Sequence, residues 1–388
     1  MILGIESTAH TFGIGIVNQG KIIANIKDSY TTEKGGIIPT DAAKHHSQIC
    51  EKIYEQTLEK VNITEDKIKA IAFSQGPGLA PCLLEGIKFA KELSKKLNKP
   101  LVPVNHCIAH LEIGKTTGAK DPVMLYVSGA NTQIIAYASG KYRVFGETLD
   151  LGTGNFIDTF ARYAGLGFPG GPKIAELAEK GKKYIGLPYS VKGMDVALSG
   201  ILTKLRQMLE KMNSKSATSS TTTPNLCSQS SQDNKLLIEN SNTDDINNKL
   251  CDNKLMRRNL TKSISEQSIS KQNKMNYTLE DLSFSLQETV FAMLVEASER
   301  ALAHTGKKEL LLGGGVACNK RLQEMCKIMC RERGCKFFCP ANEFLVDNGT
   351  MIAYLGEIMF KKKIFEKYPD KLDIKPRQRT DEVEVRWK

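Results

Sequence analysis

The residues with the most evident chemistry lie together at Val104 to His110, read V-N-H-C-I-A-H. The stretch follows a short apolar run, Pro100 to Val104, and is expected to open a helix, so His106 and His110 turn their rings to one side. Two imidazoles on one helical face make half of a metal site. The plain alternative is a pair of unrelated surface histidines. Scarcity favours the metal: of six histidines, only His10, His45, His46 and His304 lie elsewhere. Metallopeptidases of the H-E-x-x-H kind pair histidines in the same way, but Cys107 follows His106 here and cannot serve as their general base.

Two glycine-rich turns could receive an anion. S-Q-G-P-G ends an expected strand, Ile68 to Phe73, and precedes a helix over Leu79 to Leu97. G-G-G-V-A-C-N-K-R-L follows a buried strand, Glu309 to Leu312, and Gly313, Gly314 and Gly315 open a helix at about Cys318, where bare backbone lets a phosphate or ribose come close. It is neither G-x-G-x-x-G nor a Walker A motif, and such turns also serve packing alone. Cys326, Cys330, Cys335 and Cys339 form C-x3-C-x4-C-x3-C, which departs from the C-x2-C pairs of zinc ribbons and reads as free thiols. Asp347, in F-L-V-D-N-G-T-M-I-A-Y-L-G, starts a helix and suits an N-cap as well as a ligand role.

The elements that must position these residues repeat. Met1 to Ile26 reads as a β-meander with a turn at Asn18 to Gly20, and E-S-T-A-H-T, carrying His10, joins its first two strands. A helix over Thr40 to Val61 carries His45 and His46, at least one of them an ordinary interfacial histidine. From Pro122 onward L-Y-V-S-G-A-N-T-Q-I-I-A-Y-A-S-G-K-Y-R-V-F can be laid under the first meander, a duplication at a spacing of about 120 residues. The reading is two related α/β domains with mixed sheets, 1–120 and 121–212 continued by 277–365, with a ligand between two polar hairpin turns. Asp158 falls in a helix after Gly152, Gly170 to Pro172 starts the next, and Leu187 to Gly200 reads as a partly buried loop or strand. Residues 213–276 are rich in Ser, Thr, Asn, Gln, Asp and Lys and read as a disordered insertion. A long amphipathic helix resumes over Leu282 to His304, and 366–388 is a tail expected to pack back on the core.

A chain of 388 residues with 41% hydrophobic residues can fill sizeable cores. Its formal charge of +11 suggests a polyanionic partner such as nucleic acid. No leader segment or long apolar run is visible, and the ten cysteines show no secreted framework, so the cytoplasm, and also the nucleus for a eukaryotic source, is the expected location, with no membrane association.

Taken together and in order, N-H-C-I-A-H, Y-V-S-G-A-N-T-Q, G-G-G-V-A-C-N-K-R-L and F-L-V-D-N-G-T-M-I-A resemble the TsaD/KEOPS threonylcarbamoyltransferase family in its archaeal and eukaryotic branch. The match runs from Met1 to about Lys388 apart from the insertion. The resemblance implies an actin/Hsp70/sugar-kinase fold of two RNase H-like domains around a nucleotide cleft. It implies synthesis of N6-threonylcarbamoyladenosine 3′ of the anticodon in tRNAs reading ANN codons, by transfer from threonylcarbamoyl-AMP with release of AMP. His106, His110, Tyr126 and Asp347 would hold one divalent ion, Fe2+ or Zn2+. Tyr126, Val127, Ser128, Gly129, Ala130, Asp158, Gly171 and Asn319 would contact the adenine nucleotide, threonylcarbamoyl-AMP or ATP. Implied partners are tRNA and KEOPS-like subunits, including a small atypical protein kinase and a small dimerisation subunit.

That chemistry suits the residue types. An adenine amine is a poor nucleophile, so the mixed-anhydride carbonyl must be polarised by the ion and the leaving phosphate held by glycine-loop amides. The sequence departs from the family at Ala130, where many relatives have glycine, and at Ala175, where G-G-P-x-I-E has a substrate-contacting glutamate; Glu176, next along, points about 100° away on a helix. The competing functions are a metallopeptidase of the glycoprotease type and a non-catalytic ATP-binding switch.

Overall fold

Short, almost wholly buried strands rich in Ile and Val open the chain. β1 (Ile2–Glu6) runs antiparallel to β2 (Thr11–Asn18), which turns through Gln19 and Gly20 into β3 (Lys21–Ser29). Both turn residues have positive φ, 51° and 78°, the twist that suits a two-residue hairpin. The computed structural model describes residues 1–33, 35–218 and 277–388. After the meander come α1 (Pro39–Val61), β4 (Ala70–Gly76), α2 (Ala80–Leu97), β5 (Leu101–Asn105) and α3 (His106–Gly114). β4 and β5 extend the sheet in parallel, giving the order β3-β2-β1-β4-β5.

The second half repeats this plan. β6 (Val123–Val127), β7 (Thr132–Ala138) and β8 (Lys141–Glu147) form a meander whose last turn, Ser139 and Gly140, again has positive φ, 51° and 80°. Then follow α4 (Thr153–Tyr163), α5 (Gly171–Lys180), the two-residue strands β9 (Val191–Lys192) and β10 (Asp195–Val196), and α6 (Ser199–Thr218). α7 (Leu279–Thr305), β11 (Glu309–Gly313), α8 (Lys320–Glu332), β12 (Lys336–Phe338), α9 (Asn342–Leu345) and α10 (Gly349–Lys361) complete the helices and strands. β11 and β12 add in parallel, so the order β8-β7-β6-β11-β12 matches the first sheet strand for strand.

Several local expectations shift. β4 runs on to Gly76, taking Ser74 and Gln75 out of the expected loop, because Ser74 and Gly76 continue the parallel pairing with β5 across a bulge at Gln75. The three glycines lead into a single 3-10 turn, Gly315–Cys318, and the α-helix begins only at Lys320, where the Asn319 side chain caps it. α6 extends to Thr218; the rest of the insertion 213–276 lies outside the described residues. The tail returns to the core: Glu366 bridges Leu101, and Trp387 is buried in the same apolar cluster as Ile135 and Tyr142. Met1–Leu209 with Thr278–Lys388 form one compact unit, and Glu210–Tyr277 form another. Among the described residues no helix is long and apolar enough to cross a membrane.

The two halves of the first unit exchange helices. α3 follows the first sheet but packs on β6 and β11 of the second, and α10, near the chain's end, packs on β1 and β2 of the first. The second contact is so close that only glycine fits. A Cβ on Gly15 would lie 2.3 Å from the Thr350 nitrogen, and one on Gly349 would lie 2.3 Å from the Gly15 nitrogen. Backbone meets backbone there, so neither side can yield by a rotamer change. Gly15→Ala is expected to cost about 1–3 kcal/mol or more by overpacking, read as a lower denaturation midpoint in urea. An unchanged midpoint would show that α10 can move off the sheet.

Candidate metal centre and substrate cleft

α3 is buried along its whole length, and its first turn is fixed by Asn105, whose Oδ1 accepts from the Ile108 amide at 3.1 Å. His106 and His110 therefore leave one face of a rigid helix, with ring centroids 4.8 Å apart. Because α3 packs on β6, both rings meet Tyr126 near the end of that strand: the phenol oxygen is 3.1 Å from His106 Nε2. Because α10 packs on β1 and β2, Asp347 arrives from the other side. Its Oδ1 stands 3.4 Å from His106 Nε2 and 3.3 Å from His110 Nε2. Asp347 does not cap α10; Asn348 does, accepting from the Met351 amide at 3.0 Å, so the aspartate is free to face the histidines.

The donor spacing fits a metal ion. Ligands about 2.1 Å from a tetrahedral ion stand about 3.4 Å from one another, close to the separations seen here. The rest of the environment agrees. Glu6, fully buried at the end of β1, places Oε2 3.0 Å from His106 Nδ1, which must donate to it and so leaves Nε2 facing the centre. Its other oxygen accepts from the Thr8 amide at 2.7 Å and from the Thr8 hydroxyl. His110 Nδ1 has no such support and is buried without a partner among the described residues. Two carboxylates in so dry a place require positive charge. Burial opposes a charged His106 ring, but Glu6 and Asp347 outweigh it and raise its pKa well above the ordinary value. Burial keeps His110 low, while the two histidines overcome burial to hold Asp347 well below the usual carboxylate range. A divalent ion bound by His106, His110, Tyr126 and Asp347 would supply that charge. Among the described residues these two histidines and Asp347 are the group of His, Cys, Asp and Glu side chains that converges; the four cysteines of C-x3-C-x4-C-x3-C do not.

The centre borders a cavity of about 720 Å³ whose walls come from both halves of the chain. Tyr126, Ser128, Gly129, Ala130, Asp158, His106 and Asp347, all named from sequence, line it. The Ser128–Asn131 turn is locked by α4: the amides of Gly154 and Asn155 donate to the carbonyls of Ser128 and Gly129 at 3.0 and 2.9 Å. Asp158 accepts from the Gly170 amide at 2.8 Å. Burial pushes its carboxyl up, against the amides of Gly170 and Gly171 and the nearby His10.

Other expected contacts do not line this cavity: His110, Val127, Gly171, Asn319 and Gly313, Gly314 and Gly315 stand outside its wall. Val127 and Gly314 pack on each other, since a Cβ on Gly314 would lie 2.4 Å from the Val127 carbonyl oxygen. Asn319 caps α8 and donates to Gln287 Oε1 at 2.8 Å. Sequence reading missed Asn155 and Thr159, which share the cavity face of α4 with Asp158, although the spacing i, i+3, i+4 from Asn155 signals that face. It also missed the segment Pro376–Thr380, whose lining role nothing local announces.

The profile of the TsaD family, described as tRNA N6-adenosine threonylcarbamoyltransferase, matches residues 21–354. A protein of Thermococcus kodakarensis with that name is 47% identical over 385 residues, 99% of each chain. A Methanosarcina mazei protein named as a probable bifunctional tRNA threonylcarbamoyladenosine biosynthesis protein is 44% identical over all of this chain and 59% of its own length. Among solved structures, Thermococcus kodakarensis HypF superposes with a TM-score of 0.54 at 13% identity, over 93% of this chain and 47% of that one. The fold is of the actin/Hsp70/sugar-kinase type, as the matching sheet orders indicate.

Two outcomes follow from these contacts. Glu6→Gln removes the charge that orients His106, and is expected to weaken Zn2+ affinity about 10–100-fold in a chelator competition without unfolding the chain. Unaltered affinity would show that Glu6 does not support the site. His46, which bonds the Ala9 carbonyl at 3.0 Å from a fully buried position, has its pKa pushed down to about 4, chiefly by burial. Above pH 6.5 both folded and unfolded chains keep this ring neutral. Between pH 6.5 and about 4 only the unfolded chain gains the proton, so about 2–3 kcal/mol of stability is lost across that window. In His46→Gln, whose amide can still donate to Ala9, urea midpoints are expected to fall less between pH 7 and about pH 4.5. An equal fall in both proteins would assign the acid sensitivity to other groups.

Proposed function

The chain belongs to the TsaD family of tRNA N6-adenosine threonylcarbamoyltransferases and is a transferase; on this footing we propose that it moves threonylcarbamoyl from threonylcarbamoyl-AMP to the exocyclic amine of the adenosine 3′ of the anticodon in tRNAs reading ANN codons. The observation that carries this reading is the convergence of His106, His110, Tyr126 and Asp347 beside a cavity walled by both halves of the chain. In the reaction the amine nitrogen bonds to the carbamoyl carbon, the bond from that carbon to the phosphate oxygen breaks, AMP leaves with the electron pair, and the amine gives up a proton.

His106, His110, Tyr126 and Asp347 would hold one Fe2+ or Zn2+, a mixed imidazole and oxygen donor set that suits either. When bound, such an ion supplies Lewis acidity toward a carbonyl or phosphoryl oxygen. The chain's own residues do the positioning. Asp158, with its pKa raised by burial, and Asn155 and Thr159 present one polar helix face to a nucleoside, and the locked Ser128–Asn131 turn continues that wall at the start of α4. Alignment of amine and carbonyl can by itself contribute several kcal/mol, roughly 7 or more in favourable cases. Hydrolysis of peptides is disfavoured, because both Glu6 oxygens are committed to Thr8 and His106, and Asp347, the other carboxylate beside the histidines, would be taken up as a ligand of the ion and not left to activate water.

A KEOPS-like setting follows from the same reading: tRNA as acceptor, a small atypical protein kinase and a small dimerisation subunit as partners, and the cytoplasm as the place of work. The longer Methanosarcina mazei relative, named as bifunctional, supports the pairing with a second activity.

The test is modification of tRNA by the purified chain, its expected partners and threonylcarbamoyl-AMP, read by mass spectrometry of nucleosides. Combined His106→Ala and His110→Ala is expected to lower product at least about 100-fold. Unchanged product would remove the metal from the reaction, and peptide cleavage by a clean preparation would favour the peptidase.

A further inference from the structure

We propose that Arg162 and Arg377, both lining the cavity, bind backbone phosphates of the acceptor RNA and seat the target adenosine over the metal centre. The inference rests on the tRNA reading above and names the residues that would hold this partner.

Arg162 lies one turn beyond Asp158 and Thr159 on the cavity face of α4, and its guanidinium reaches across the cleft, with Nη1 3.8 Å from where a Cβ on Gly36 would sit. Arg377 enters from the C-terminal segment. That segment is pinned on either side of it: the Lys375 amide donates to the Gln75 carbonyl at 2.8 Å, the Pro376 carbonyl accepts from Gly78 at 3.1 Å, and Gln378 accepts from Asn105 at 3.1 Å. Asn105 also caps the helix that carries the histidines, so Arg377 has a fixed place relative to the metal centre. Little backbone freedom remains to be lost when its side chain meets a ligand.

Charge decides the kind of ligand. Arg300, Arg321, Arg333, Arg379 and Arg386 each hold a carboxylate. Arg162 and Arg377, both exposed, have no such partner among the described residues. The carboxylates lining the cavity are already engaged: Glu147 by Gln133 and Arg379, Asp158 by the Gly170 amide, and Asp347 by the histidines. The rim therefore presents planar, multidentate cations with no ion-pair partner among the described residues, which suit phosphate oxygens. Arg377 also lines a second open depression, together with Lys375, Pro376, Gln378 and Glu382, whose carboxylate accepts from the Arg379 amide at 3.1 Å. A polynucleotide can pass over Arg377 from one to the other, whereas a mononucleotide ends inside the cavity.

The experiment measures anisotropy of a labelled anticodon stem-loop RNA with the full chain, at about 50 to 200 mM KCl, beside calorimetry with AMP. Arg162→Ala and Arg377→Ala are each expected to weaken RNA binding roughly ten-fold and to reduce the logarithmic salt slope by about 0.7–0.9, with AMP affinity kept. Arg377→Lys, which keeps the charge, should retain the slope. Arg331→Ala, an exposed arginine of α8 away from the cavity, should match the parent chain. Wild-type RNA affinity and slope in the two rim variants would overturn the proposal, as would an equal loss in Arg331→Ala or no RNA binding by the parent chain. Loss of AMP affinity instead of RNA affinity would give the arginines to the small substrate and overturn it as well. RNA binding that depends on both arginines in a chain that never modifies tRNA would support the site and overturn the transferase reading instead.

Discussion

The buried carboxylate of Glu6 is the interaction on which the rest of this structure depends. An ionised carboxylate removed from water costs several kcal/mol, on the order of 3–5 if a partner is taken away, so every neighbour must answer it. Thr8 answers with an amide and a hydroxyl, which fixes the turn after β1. His106 answers with Nδ1, which fixes the start of α3 against the first sheet. Once Nδ1 is committed, Nε2 faces Tyr126 and Asp347. A second carboxylate then enters the same dry pocket, and the excess negative charge makes a cation necessary there, whether a proton on His106 or a metal ion.

Helix exchange between the halves makes that arrangement possible. Neither sheet carries the whole donor set: His106 and His110 follow the first sheet in sequence, Tyr126 belongs to the second, and Asp347 precedes the helix that returns to the first. The glycines at 4, 15 and 349 permit the return, because any side chain there would strike backbone. A duplicated sheet thus becomes a site only through two helices packed on each other's territory.

Much of this was legible in the sequence. The repeat of the meander, down to the Gly-Lys hairpin turns, predicted two related mixed sheets, and the i, i+4 histidines predicted a shared face. Periodicity carries that information because burial alternates along a strand and recurs along a helix. Asp347 was harder, since an aspartate before a helix reads as its cap; the neighbour Asn348 competes for that role and wins with a side-chain bond to Met351. The cavity contribution of Pro376–Thr380 was not legible at all. That segment has no regular periodicity, and its position is set by bonds to Gln75 and Asn105, some 300 and 270 residues earlier, which local pattern cannot encode.

Several amides at glycine turns around the cleft have partners within the chain. Gly78 donates to Pro376, Leu79 to Thr8, Gly154 to Ser128, and Gly170 to Asp158. A helix N-terminus attracts an anion only while its amides lack partners, and in the first turn of α4 the amides of Gly154 and Asn155 already have the carbonyls of Ser128 and Gly129, as Gly78 and Leu79 before α2 have those of Pro376 and Thr8. The glycines at these places serve close packing, as at Gly314 against Val127. At these turns the groups left to face the cleft are side chains, above all the polar face of α4. Side chains can be tuned one at a time without disturbing the turns, whereas a backbone cradle cannot.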